Sequence, residues 1–298
     1  MSPYLQELVV FIGQNHVFED GSEQLKKILN IEVTAKQIER LTHGYGELAE
    51  VNPPKQQVIQ PKEGLHYGMI DGGMILTRQD DWKEMKLARI FEAKSHMSVS
   101  EKRNFIKEST YIAHLGGCSP FFNKLEKTTD CLKDMVWVCD GAKWIWNWIS
   151  DHYPESTQIL DWFHCSEKLH EFAKQAIKDP EHRKEWTDQQ QELLMNDQVK
   201  TVIANVSLTP CKGKAKEKQR TLLTYYENNL KRMHYKTYKE DGLMIGGPME
   251  AAHRHVIQQR MKLSGQRWTI KGAQQVANLR TLNKSGNWKH VIDLVNLN

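Results

Sequence analysis

Three carboxylates fall where an α/β sheet would present them to a ligand. Asp71 follows the apolar stretch HYGMI and precedes Gly72 and Gly73, which let another backbone or a ligand approach closely. Asp140 ends the apolar part of MVWVCDGA, the most apolar strand expected in the chain, where a charge is costly unless it is paired or holds a cation. Glu250 stands two residues after Pro248, in the first turn of an expected helix whose Met249, Ala252 and Val256 share one face. Simpler readings stand beside these: a strand-end aspartate that caps the next helix, and a first-turn glutamate that complements the helix dipole. Two strand carboxylates and one helix carboxylate are what two-metal phosphoryl transfer needs. Hard oxygen ligands hold two Mg²⁺ or Mn²⁺ ions roughly 4 Å apart, one activating the attacking oxygen and the other stabilising the leaving one. The chain has no G-x-x-x-x-G-K phosphate loop, which weighs against a nucleotide hydrolase.

A polyanionic substrate needs a basic counterpart, and two segments offer one. From Pro248 to the end, eight basic residues face two acidic ones, a local charge of +6 that leaves −2 on the rest of a chain whose formal charge is +4. Arg254, Arg260, Lys262 and Arg267 lead this segment, and Lys212, Lys214, Lys216, Lys218 and Arg220 form a second run. Each stretch either neutralises phosphates or is a solvated face. Trp146 and Trp268 either stack on an unpaired base or pack in the interior. His164 either assists at the site or fixes the start of a helix; Cys165 beside it lacks a second ligand pair and makes no metal site.

The elements that must hold these residues follow from periodicity. Residues 1–50 read as helices, with Leu5, Leu8, Val9 and Ile12 at helical spacing. Thr34 is the N-cap of a third helix after a short NIEV turn, as in a helix-turn-helix, and that helix exposes Lys36, Gln37 and Arg40, residue types that contact phosphates or bases. Small helical hairpins also serve simply as packing elements. Residues 51–64, rich in proline, read as a linker. Within 65–178, strands are expected at HYGMIDGGMILT, KEMKLARIFEA, MVWVCDGA and TQILDW, the last two each followed by a helix, which indicates a parallel α/β core. Residues 179–245 read as an all-helical insertion, and 246–298 as the remainder of the core with the Glu250 helix and a basic tail.

With 298 residues, 39% apolar and 26% charged, the composition is that of a folded protein with one large or two modest domains, neither disordered nor fibrous. Five cysteines without a C-x-x-C pair indicate no disulfide framework and no structural zinc site. Apolar runs fall well short of the roughly 18 residues of a membrane span, and the start lacks a basic leader. A cytoplasmic, nucleoid-associated location without membrane contact is therefore expected.

Four ordered blocks give the sequence a family resemblance. MIDGG, VWVCDGAKWIWNWI, ILDWFHCSEKL and GGPMEAAHRHVIQQRMKLSGQRWTIKGAQQVANLR resemble, in that order, the blocks of bacterial insertion-sequence transposases of the ISKra group, relatives of the Mutator-like transposases. The resemblance runs from the linker to the C-terminus. It implies an RNase H-like mixed sheet flanked by helices, an acidic triad at Asp71, Asp140 and Glu250, and a D-x-x-H signature at Asp161 and His164, both counted with the catalytic residues. It implies metal-dependent cleavage and strand transfer on double-stranded DNA, at element ends and target, by a dimer or larger oligomer. The front end is short for the group, so a reduced copy is expected, and a metal-dependent nuclease or an inactive DNA-binding remnant are the alternatives.

Overall fold

A computed structural model describes residues 1–54, 59, 64–100 and 103–297; the segments 55–58 and 60–63, most of the expected linker, lie outside the described residues. The chain forms two compact units, residues 1–134 together with 249–298, and residues 135–248. Its five-stranded main sheet is mixed and flanked by helices, so the chain is an α/β protein. No described helix is long and apolar enough to cross a membrane.

The first unit begins with three helices, α1 (Pro3–Asn15), α2 (Phe18–Leu29) and α3 (Ala35–Val51). Thr34 caps α3 in a full capping box: its hydroxyl accepts from Gln37 N, and the Gln37 side chain accepts from Thr34 N at 3.0 Å. Asn30 stands in the left-handed conformation and ends α2. Then come β1 (His66–Leu76) and β2 (Trp82–Glu92), antiparallel with Asp71 opposite Leu87, a hairpin of β3 (His96–Ser100) and β4 (Arg103–Ile106), and β5 (Thr110–Leu115), antiparallel to β2. Helix α4 (Cys118–Thr129) closes this stretch. The C-terminal part adds α11 (Met249–His253), a π-helical turn (Arg254–Gln258), α12 (Gln259–Met261), α13 (Ile270–Lys284) and α14 (Trp288–Asn296).

The helical start is not a module of its own. Val10, Tyr45 and Ala49 share one buried cluster with Leu279, Leu282, Val291, Leu294 and Val295 of α13 and α14. Helix α3 approaches α13 so closely that a Cβ at Gly46 would lie 2.3 Å from the Gln275 carbonyl. Helix α13 is buried on nearly every side, and its polar residues find partners there: Gln274 accepts from Leu115 N at 2.8 Å and donates to the Ala113 carbonyl.

The second unit carries the parallel pair β6 (Met135–Cys139) and β7 (Thr157–Leu160), with α5 (Lys143–His152) between them and α6 (Trp162–Ala176) after. All five residues of β6 are buried, as expected of a strand covered on both faces. Helices α7 (Pro180–Met195), α8 (Val199–Leu208), α9 (Lys214–Asn229) and α10 (Tyr235–Glu240) follow, with a 3₁₀ turn at Leu230–Arg232. The helical character expected for 179–245 is present, but these helices share the core of the strands. Tyr226 donates to the Cys165 carbonyl at 3.1 Å, Tyr235 to Leu160 at 3.0 Å and Tyr238 to Gln158 at 3.2 Å. A buried tyrosine hydroxyl needs an acceptor, and the ends of β7 and α6 supply it.

Candidate functional site

In the first unit Asp71 lies mid-strand in β1, not at the end of a run, and its Oδ1 accepts from Gly72 N at 2.7 Å. The two glycines make room for side chains of the same unit. A Cβ at Gly72 would lie 2.1 Å from Glu84 Oε1, and one at Gly73 would lie 2.5 Å from the His253 ring. Glu84 pairs with the buried ammonium of Lys86 at 2.5 Å, which also donates to the Gly116 carbonyl at 2.7 Å. His253 is buried, and desolvation pushes its imidazole down to about 4, so at neutral pH the ring is uncharged. Through this ring α11 packs on β1 and β2, and Glu250 stands exposed in its first turn. The helix widens into its π turn directly after His253; such bulges recur at functional sites.

In the second unit Asp140 follows β6 and its Oδ1 accepts from Ala142 N at 3.0 Å, the geometry of a turn at the entry to α5. Gly141 beside it is covered by Tyr225 of α9, whose ring would stand 2.0 Å from a Cβ at that position. Burial raises the Tyr225 phenol well above its ordinary value, and the nearby Asp140 and Asp161 carboxylates add to the shift. The Lys168 ammonium lies 5.0 Å from the centre of the Tyr225 ring. Asp161 is the N-cap of α6: it accepts from Phe163 N and His164 N at 2.8 and 3.1 Å, and from Gly247 N at 2.8 Å. Three backbone donors on this buried carboxylate make it a positioning group for the start of α6. His164 Nδ1 stands 3.4 Å from the same carboxylate, with its side chain one-third exposed. Burial lifts the Cys165 thiol to about 11, so it is no thiolate at neutral pH.

The basic residues separate by exposure. Lys212, Lys214, Lys216, Lys218 and Arg220 are all exposed, although Lys218 pairs with Glu171 at 2.6 Å and Lys216 donates to Gln219 at 2.6 Å. Arg254, Lys262 and Arg267 are exposed as well. Arg260 is not: it is 1% exposed, lies 4.8 Å from the ring centres of both Phe18 and Trp268, and donates to the Gly13 carbonyl at 3.2 Å. Its expected DNA contact is therefore corrected to an interior one. Arg280, counted in the basic tail, is buried too and donates to the carbonyls of Gln14, Val256 and His255. At the front, Lys36 and Arg40 are exposed, with Lys36 paired to Glu39 at 3.0 Å, while the Gln37 side-chain oxygen belongs to the capping box and not to a DNA-reading surface. Trp146 and Trp268 are both buried packing residues.

Across its length, from residue 7 to 296, the chain matches the model of an uncharacterised protein family, UPF0236. The chain belongs to this family. No curated protein matches it.

Sequence reasoning missed Glu84, Lys86, His253, Tyr225 and Lys168. Two of them carried a signal: a lysine inside the apolar strand KEMKLARIFEA, and a histidine three residues after Glu250, on the same helical face. The carboxylates of Asp71, Asp140 and Glu250 are hard oxygen donors of the kind Mg²⁺ and Mn²⁺ take. Among the described residues no group of three or more His, Cys, Asp or Glu side chains is placed to hold a metal ion. The fit to such an ion thus rests on donor chemistry and not on a preassembled cage.

Proposed function

We propose that the chain is a DDE-type transposase that cleaves and joins DNA at insertion-sequence ends, with Asp71, Asp140 and Glu250 as its acidic residues. The observation that carries this reading is the seating of the Glu250 helix on the Asp71 strand through His253 over Gly73, which fixes two of the three carboxylates within one unit. The succession of three antiparallel strands, a helix, and two parallel strands joined by a helix agrees with an RNase H-like core.

In this reading Mg²⁺ or Mn²⁺, when bound, supplies the charge that activates the attacking oxygen and stabilises the leaving one. The chain's own residues do the rest. Asp71, Asp140 and Glu250 offer the carboxylate oxygens. The neutral His253 seats the Glu250 helix without adding a competing positive charge, and Asp161, by capping α6, sets the place of His164. The exposed lysines at the start of α9, with Arg254, Lys262 and Arg267, neutralise DNA phosphates, and paired-end chemistry calls for a dimer or larger oligomer on the nucleoid.

The test is to incubate the protein with labelled element ends, target plasmid and Mn²⁺. Joined products are the expected result. Cleavage without joining would instead indicate a nuclease, and salt-sensitive binding without cleavage a DNA-binding remnant.

A further inference from the structure

The second unit contains a cavity of about 610 Å³ between the end of α5 with the start of β7 (Ser150, Thr157, Gln158) and the end of α9 with the 3₁₀ turn after it (Asn228, Lys231, Arg232). Arg232 dominates its chemistry. The guanidinium lies 4.4 Å from the centre of the buried Trp146 ring, and its Nε donates to Gln158 Oε1 at 2.9 Å. One terminal nitrogen makes two long contacts of 3.4 Å, to the Asn228 carbonyl and to Asn229 Oδ1. Among the described residues no carboxylate lies within ion-pairing distance of Arg232. Burial pushes its pKa down, which is the sign of a partly desolvated cation without a counter-charge beside it.

Such an arginine is prepared for an oxyanion. Stacking on Trp146 and the bond to Gln158 fix the plane of the fork, so little freedom is lost when its unused N–H groups take an anion. Exposed Lys231 adds a second cation and the Ser150 and Thr157 hydroxyls add neutral donors, against one exposed carboxylate, Glu227. A cationic fork with hydroxyl donors suits the several oxygens of a phosphate better than the two of a carboxylate.

We propose that this cavity is a phosphate-binding subsite centred on Arg232. The phosphate belongs either to a DNA backbone, as the transposase reading above would have it, or to a free phosphate or nucleotide; only the first source rests on that reading.

The test uses the full chain as wild type, Arg232→Gln, Arg232→Lys and Ser150→Asp, the last placing a carboxylate on the exposed wall so that the measurement survives if Arg232→Gln fails to fold. Binding of a labelled duplex is followed across a salt series, and inorganic phosphate and a nucleoside triphosphate are titrated separately. Arg232→Gln and Ser150→Asp should weaken duplex binding about 5- to 10-fold and flatten the salt slope by about one unit, equally for all sequences. Arg232→Lys should keep the slope and lose part of the affinity, because a point charge replaces the fork. If the wild type ignores duplex but binds phosphate or nucleotide in an Arg232-dependent way, the subsite stands and the DNA reading falls. If the folded variants bind duplex, inorganic phosphate and the nucleotide as the wild type does, or the wild type binds none of the probes, the subsite is overturned.

Discussion

In the proposed transposase reading, Asp140 is the residue whose charge the cleavage step needs. Its capping reading is met, since one carboxylate oxygen accepts from Ala142 N in the turn into α5. Asp140→Asn keeps an acceptor for Ala142 N and removes the charge. Cleavage should be abolished and DNA affinity unchanged; cleavage at the wild-type rate would remove Asp140 from the reaction. Its neighbour offers a structural counterpart. Gly141→Ala sets a methyl 2.0 Å from the half-buried ring of Tyr225, which is stiffer than a flexible aliphatic side chain. Overpacking of this kind costs about 1–3 kcal/mol, so the unfolding free energy should fall by that amount and the denaturant midpoint should fall with it. An unchanged midpoint would mean that Tyr225 does not cover the turn.

At the scale of elements, α9 and α3 make opposite use of their polar residues. The basic start of α9 is exposed, and replacing Lys212, Lys214, Lys216, Lys218 and Arg220 by glutamine should weaken DNA binding and flatten its salt dependence. The loss should come mainly from Lys212, Lys214 and Arg220, because Lys218 already pairs with Glu171 and Lys216 with Gln219. A slope that does not move would make the run a solvated face. Helix α3, in contrast, is held by burial. His43 on it packs against Gly272, and desolvation, aided by Arg260, lowers its pKa. The unfolded chain then binds this proton more readily than the folded one, so the contribution of His43 is complete above the ordinary histidine range near 6.5 and is lost as pH falls below it. His43→Gln should remove that part of the acid sensitivity, read as the difference between wild-type and variant melting curves against pH.

For the whole molecule, the joining of the chain's two ends into one unit changes what the helical start is for. Removing residues 1–51 would uncover the cluster of Leu279, Leu282, Val291, Leu294 and Val295, so the expected result is loss of cooperative folding of the first unit and not merely loss of DNA selectivity. A truncated chain that melts like the full one would contradict this. With Gln37 engaged in a capping box and the inner face of α3 buried, few side chains remain to read bases. Modest sequence preference follows. Affinity for an element end should exceed that for scrambled DNA by well under a thousandfold at the same physiological salt, and a larger ratio would show a complete reading head.

The sequence by itself determined the local features, because each depends on residues close in the chain. The Thr34 cap, the fully buried strand just before Asp140, the helices beyond Asp179 and the helix that starts after Pro248 all follow from capping chemistry and hydrophobic period. Residues 96–134 carried no such pattern, and the β3–β4 hairpin, β5 and α4 went unread. What only the tertiary structure decided is which charged groups reach water and which elements share a core. Arg260 and Arg280 look like their exposed neighbours in the basic tail, yet carbonyls and aromatic rings far away in sequence accept them into the interior. Helix α13 shows no apolar stripe because it is buried all round, with Gln274 satisfied by β5. Gly72 and Gly73 signalled a close approach, but that Glu84 and His253 make it depended on strand register and on a helix 180 residues further on. Burial and pairing are properties of the assembled chain, and a local pattern cannot hold them.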